Sequence, residues 1–266
     1  MKKLGFLGMG NMGEALLKGI LANDCLSNDD ILFLAKRPER IEQIEHKYSI
    51  SSARDSIDLA QSCEMLLLAV KPDVCINILL ECADALAGKA LISVIAGWSK
   101  EDYEALVPDC RVLCVMPNTP VMVGEGMTVF NTNHSFTDEE YAFARQIFAS
   151  VGKVAQLPQN KMAAVTGVSG SGPAYVYLFI EALADGGVFE GLPRELAYEL
   201  ASQTVLGAAK MVMETKKHPG ALKDAVCSPG GTTIEAVSAL EHAGFRAAVL
   251  DAVSACTKKA KQMAQK

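Results

Sequence analysis

The sequence predicts an α/β protein in two parts: strands alternating with helices over residues 1–157, then helices alone over 158–266. Three observations carry this reading. Short continuous apolar runs alternate with helix-period segments in the first part, as in a sheet buried on both faces. The first of these runs leads directly into a glycine-patterned turn and then a helix. After Pro158 no strand-like run appears again; Ala, Leu, Met, Glu and Lys dominate, broken only by Gly and Pro.

The bulk composition sets limits on function. Half of the 266 residues are apolar, enough for one large or two ordinary cores. Net charge is −6 with both signs interspersed, and no basic stripe or aromatic platform is visible, so nucleic acid is not an expected partner. No uninterrupted apolar run approaches the ~20 residues of a membrane span. Met1-Lys2-Lys3 could open a signal peptide, but residues 4–13 are too rich in glycine for its apolar region. A cytoplasmic protein is expected. The eight Cys form no C-x-x-C pair and mostly sit inside apolar patterns, which reads as small core residues in a reducing compartment. The four His show no ligand spacing, and no metal site is expected.

Taken in order, residues 3–7 form a buried strand ending at Leu7, followed by Gly8-Met9-Gly10-Asn11-Met12-Gly13 and a helix from Glu14. This is G-x-G-x-x-G in its required setting. The first Gly makes the turn, the second admits a pyrophosphate, and the third lets helix and strand pack. The first part is therefore read as a Rossmann-type dinucleotide-binding domain. The second strand, 31–34, runs into Ala35-Lys36-Arg37, with no carboxylate until Glu39. An NAD-specific fold usually places an acid there for the ribose 2′-hydroxyl. Lys36 and Arg37 suit a 2′-phosphate, which favours NADP(H) with NAD(H) as the alternative; a solvated charged turn before a helix over 38–47 is the other reading.

Further strands are read at 65–70, 90–95, 111–115, 127–130 and 153–157. A helix is read over about 73–86. Thr137-Asp138-Glu139-Glu140 forms a capping box that opens a helix to about Ser150. Open α/β sheets bind ligands outside the carboxyl ends of their strands. That groups Gly8 to Gly13, Lys36-Arg37, Ala69-Val70-Lys71-Pro72, Ile95-Ala96 and residues 116–120 around one candidate cleft. Trp98 follows a strand end and is read as half-buried packing ahead of a stacking role.

The second part reads as helices at about 161–168, 173–187, 193–215, 220–226, 232–243 and 245–265. These carry apolar residues on more than one face and call for another surface, so an interleaved homodimer is expected. Gly167-Val168-Ser169-Gly170-Ser171-Gly172-Pro173 fails the hydrolase elbow G-x-S-x-G, because position 171 is Ser, and is read as a tight turn into a helix. His218-Pro219 is read as a structural helix start. Ser228-Pro229-Gly230-Gly231-Thr232-Thr233 places free amides, a positive helix end and two hydroxyls at one point. This suits a small carboxylate, but on this stretch alone an ordinary N-cap after a tight turn is the favoured reading.

Over essentially its whole length the chain resembles the pyrroline-5-carboxylate reductases. The residues that carry the resemblance are Gly8 to Gly13 with Asn11-Met12, Ala69-Val70-Lys71-Pro72, Met116-Pro117-Asn118-Thr119-Pro120, Ser169-Gly170-Ser171-Gly172-Pro173-Ala174-Tyr175, Ala184-Asp185-Gly186-Gly187, His218-Pro219-Gly220 and Ser228 to Thr233. The resemblance implies reduction of 1-pyrroline-5-carboxylate to L-proline by NAD(P)H. It implies that Leu7, Gly8, Gly10, Asn11, Met12 and Gly13 hold the pyrophosphate and that Lys36 and Arg37 hold the 2′-phosphate. Ala69, Val70, Lys71, Pro72, Ile95 and Ala96 would flank the nicotinamide half. Gly230, Gly231, Thr232 and Thr233 would hold the substrate, with Thr233 as the catalytic candidate at the ring nitrogen. It further implies a domain-swapped dimer, often assembled into a decamer. Ser56 stands where the family often has an Asn that touches the cofactor ribose. Lys216 stands where some relatives carry a substrate-contacting Glu.

Overall fold

The computed structural model describes residues 1–264. By contacts it forms two compact units: Met1–Ser171 together with the chain from Ala255 onward, and Gly172–Ser254. Residues 158–171 and the end of the last helix group with the sheet.

The sheet unit runs β1 (Lys2–Leu7), α1 (Asn11–Ala22), β2 (Ile31–Leu34), α2 (Pro38–Tyr48), β3 (Ser51–Ser52), α3 (Ser56–Ser62), β4 (Cys63–Leu68), α4 (Pro72–Glu81), α5 (Ala83–Leu86), β5 (Ala90–Ser93), α6 (Lys100–Glu104), β6 (Arg111–Met116), β7 (Gly126–Asn131), α7 (Asp138–Ala149), β8 (Gly152–Leu157) and α8 (Met162–Val165). The strands form one sheet in the order β3-β2-β1-β4-β5-β6-β7-β8. Pairing is parallel from β3 through to β6, antiparallel between β6 and β7, and parallel again between β7 and β8. The order reverses at β1, and the expected Rossmann-type α/β fold is present.

Strand periodicity explains the two cores. Successive side chains point to opposite faces. Leu4, Phe6, Ile31, Phe33, Met65 and Leu67 therefore join one apolar cluster, packed with Leu16, Ile20 and Phe148 from the helices. Leu7, Leu32, Leu66, Leu68 and Leu91 join the other, packed with Leu59, Leu79 and Tyr103. Each fully buried Leu, Ile or Phe stabilises by roughly 1.5–3 kcal/mol relative to exposure. Burial pushes the thiols of Cys63, Cys75, Cys110 and Cys114 up to about 12. They are inert packing groups, as their pattern suggested.

Several elements differ from the sequence reading. β4 stops at Leu68, so Ala69 and Val70 lie in the turn rather than in the strand. The helix expected over 73–86 is two helices, parted at Cys82. The Ser-Gly-Ser segment is not a tight turn: Thr166–Gly170 continues from α8 as a π-helical stretch, with Ser171 N–H donating to the Thr166 carbonyl at 2.8 Å. The capping box at Thr137 is present, the Thr hydroxyl accepting from the Glu140 N–H at 3.2 Å.

The helical unit comprises α9 (Gly172–Phe189), α10 (Arg194–Thr215), α11 (Pro219–Ala225), α12 (Thr232–His242) and the first part of α13 (Phe245–Met263). The expected end of the last helix, at Gln265, lies outside the described residues. His218 caps α11, its Nδ1 accepting from the Gly220 N–H at 3.0 Å. Only Ala184, Ala197 and Ala201 are buried in this unit, against Ile180 and Val188. Phe189 is 89% exposed, Leu250 70% and Leu178 66%.

Candidate active site

The three glycines after β1 have different physical roles. Gly8 has φ +99°, and a Cβ there would come within 2.5 Å of Val70 Cγ1 and 2.9 Å of the Ala69 carbonyl. The backbone hand and the neighbouring turn both demand glycine. At Gly13 a Cβ would meet the Gly8 carbonyl at 2.6 Å, so this position is fixed by helix–turn contact. Gly10 differs. Its φ of −82° is open to any residue, and a Cβ there would meet nothing within 4 Å. The space above Gly10 is a cradle that a side chain would fill.

Gly10 is also the N-cap of α1, and no side chain caps that helix end. The first-turn amides of Asn11, Met12 and Gly13 stand at the positive end of a 12-residue helix. The open cradle and the uncapped helix end fit a dinucleotide pyrophosphate.

Around this turn lies a cavity of about 680 Å³ at the carboxyl ends of β1, β2 and β4. Its lining brings together Gly8, Gly10, Lys36, Arg37, Ala69, Val70 and Lys71. Hydrogen bonds from Gly8 N–H to the Leu34 carbonyl (3.1 Å) and from Ala69 N–H to the Leu7 carbonyl (2.8 Å) hold the three strand ends in register. Leu7 is wholly buried beneath the turn, and Pro72 opens α4. Lys36 and Arg37 are exposed and have no ion-pair partner among the described residues.

Three expected members do not line this cavity. Ser56 is 2% exposed at the first position of α3, its side chain turned into the core beside Cys82, and it does not line this cavity. Ile95 lines a second cavity of about 320 Å³, with Gly97, Trp98, Met116 and Met162, inside the sheet unit. Ala96 packs against Met116 and Val165. The Ile95 N–H donates to Ser93 Oγ (3.2 Å), which also bonds the buried Tyr103 hydroxyl. Trp98 packs on Tyr103 with ring centroids 4.9 Å apart.

The cavity also holds Arg40 and Arg54, which the sequence reading missed. Arg54 pairs with Asp58 at 3.2 Å and is largely exposed. Arg40 sits three residues after Arg37, on the same side of α2. That spacing is the signal that could have found it.

In the helical unit, Gly230 has φ +66°, and Gly231 is the N-cap of α12 with no side-chain cap. The Gly231 N–H donates to the Ser228 carbonyl at 3.0 Å, which closes the turn. Thr232 is exposed and Thr233 half-buried, both in the first turn of an 11-residue helix. Helix end and hydroxyls are thus collected at one point, a geometry chemically suited to a carboxylate.

The chain is 42% identical over 266 residues to the pyrroline-5-carboxylate reductase of Escherichia coli strain K12, covering 99% of each. The chain belongs to the pyrroline-5-carboxylate reductase family. Within that family it is also 42% identical over 264 residues to the Arabidopsis thaliana reductase, covering 99% of this chain and 96% of the other. The crystal structure of the Plasmodium falciparum pyrroline carboxylate reductase with NADP bound superposes with a TM-score of 0.89 at 34% identity, covering 99% and 98%. Residues 159–263 match the family model for pyrroline-5-carboxylate reductase dimerisation. Residues 3–97 match the model described as NADP oxidoreductase, coenzyme F420-dependent. Among the described residues, no helix is long and apolar enough to cross a membrane.

Proposed function

We infer that this chain reduces 1-pyrroline-5-carboxylate to L-proline, the last step of proline biosynthesis. The observation that carries the reading is the family match over 99% of the chain. Bound NAD(P)H supplies the hydride that the imine carbon C5 accepts, while the protonated ring nitrogen becomes the amine. The protein's task is alignment, and orientation of this kind supplies ~7–11 kcal/mol in the best cases.

The residues divide the work. Gly8, Gly10 and the amides of Asn11, Met12 and Gly13 receive the pyrophosphate, supported by the open space at Gly10. Lys36 and Arg37 receive a 2′-phosphate, supported by their place in the lining without ion-pair partners among the described residues. NADP(H) is then preferred and NAD(H) accepted. Ala69 to Pro72, with Ile95 and Ala96, flank the nicotinamide half. Gly230 and Gly231 shape the turn, the amides of Thr232 and Thr233 at the start of α12 receive the substrate carboxylate, and the Thr233 hydroxyl holds the ring nitrogen.

The division of labour follows residues 1–157 for the cofactor and 158–266 for substrate and association. The assembly is an interleaved dimer built further into a decamer, supported by the exposed apolar helix faces. A cytoplasmic setting is supported by eight free cysteines.

The test follows NADPH absorbance on addition of pyrroline-5-carboxylate; no oxidation overturns the reading. Thr233→Ala is expected to leave the NADPH Kd unchanged and to cost roughly 1–3 kcal/mol in kcat/KM. An unchanged kcat/KM removes Thr233 from the site. Lys36→Ala with Arg37→Ala is expected to raise KM for NADPH more than for NADH.

A further inference from the structure

Arg40 shares the cavity lining with Lys36 and Arg37 but is committed elsewhere. Its Nε donates to the Met9 carbonyl at 3.0 Å, within the glycine turn itself. One terminal nitrogen donates to Gln43 Oε1 at 2.7 Å, and the other is paired with Glu14, the residue after Gly13. Glu14 also accepts from Lys47 Nζ and from the Tyr48 hydroxyl, each at 2.9 Å. The Arg40 and Glu14 side chains are only 16% and 17% exposed. α2 is therefore tied to the turn at one point and to the first turns of α1 at another.

We propose that Arg40 is a positioning residue for the phosphate turn, held in that role by Glu14, and that it leaves any 2′-phosphate to Lys36 and Arg37. The carbonyl of Met9 and the N–H of Gly10 belong to one trans peptide unit and point opposite ways. Fixing the carbonyl on Arg40 therefore fixes the direction of the Gly10 N–H. Glu14 favours the helix end but repels an anion bound there. Arg40 and Lys47 neutralise that carboxylate, so the turn meets a phosphate with its positive end unopposed. The pairing is specific to a guanidinium, which can serve a carbonyl and a carboxylate at once.

This inference rests on the assignment of the cavity to a dinucleotide. The test measures equilibrium binding of ADP-ribose and of its 2′-phosphate by calorimetry, ligands that cannot turn over. Arg40→Met is expected to weaken both by the same factor, roughly tenfold or more for a lost charged hydrogen bond. Glu14→Gln is expected to weaken both equally but less. Lys36→Ala with Arg37→Ala is expected to weaken only the 2′-phosphate. If Arg40→Met selectively weakens the 2′-phosphate, Arg40 is a direct ligand and the proposal falls; if it changes neither affinity, the proposal also falls. If Arg40→Met does not fold, Arg40→Lys serves, because an ammonium cannot span both partners and must show the same equal loss. Gly10→Ala separates the two claims. Binding that survives Gly10→Ala removes the dinucleotide from the cavity, and the clamp with it. Binding lost in Gly10→Ala but untouched in Arg40→Met sinks the clamp alone.

Discussion

The sheet unit and the helical unit spend their apolar residues in opposite ways. In the first, strand after strand buries both faces, and the side chains of two clusters are almost wholly withdrawn from water. In the second, three alanines form the buried centre, while Phe189, Leu178 and Leu250 stand in solvent on a single chain. The difference teaches that the two units draw stability from different sources. The sheet unit carries its own core. The helical unit needs apolar surface from another copy, in keeping with the dimerisation model that its residues match.

The sharpest way to break this contrast is a charge on the helical face. Leu178→Glu is expected to dissociate the oligomer and to lower stability by several kcal/mol, because a carboxylate would be buried without a partner. Sedimentation and thermal unfolding check it; an unchanged mass would return this face to solvent. In the sheet unit the comparable damage needs a backbone position. Gly8→Ala is expected to cost roughly 2–5 kcal/mol, combining left-handed strain with overpacking against Val70 and Ala69. Urea unfolding against the parent at one fixed protein concentration measures it.

A smaller effect follows from Glu14. Burial pushes its carboxyl up, but hydrogen bonds from Lys47, Arg40 and Tyr48 outweigh this and bring it down to about 2. A carboxyl lowered on folding adds stability above its unfolded value of 4.5 and loses it as pH falls toward 2. Glu14→Gln is therefore expected to flatten the acid limb between those values, a difference on the order of 1–3 kcal/mol at neutral pH. An acid limb unchanged in the variant would remove Glu14 from it. The smallest stability effect belongs to Gly10→Ala, expected within about 0.5 kcal/mol of the parent while dinucleotide binding is lost. Equal losses of stability at Gly8 and Gly10 would erase the distinction between a turn glycine and a ligand glycine.

Much of this was legible in the chain. Apolar runs at 31–34 and 111–115 marked strands because they are buried on both faces. The glycine turn was legible because its neighbours on both sides were regular. β3 was not, since Ser51–Ser52 is a two-residue polar edge with no pattern to read. α3 carries its start signal in Asp55, which accepts from the Asp58 N–H at 2.7 Å, but it is too short for a period. α6 could have been found: Ser99 and Asp102 form a capping box. The π-helical stretch after Val165 had no signal, because Ser169-Gly170-Ser171-Gly172 reads as a breaker and the bond from the distant Asn118 amide to the Ser169 carbonyl has no local pattern. At the cavity, the glycines and Lys36-Arg37 were readable from local spacing. The Arg40–Glu14 pairing was not, because it joins residues from two helices whose meeting is set by the sheet. The burial of Ser56 was not legible either, because the sequence does not say which way a helix-start side chain turns.

The division between the units falls inside α13, whose later residues pack beside Gly97 in the sheet unit. This has a consequence for synthesis. A chain emerging from the ribosome can pair all eight strands once Leu157 has cleared the exit tunnel. The cavity edged by Trp98 stays open until Ala260 and Lys261 follow. The sheet unit is thus begun first and finished last, with the whole helical unit made in between.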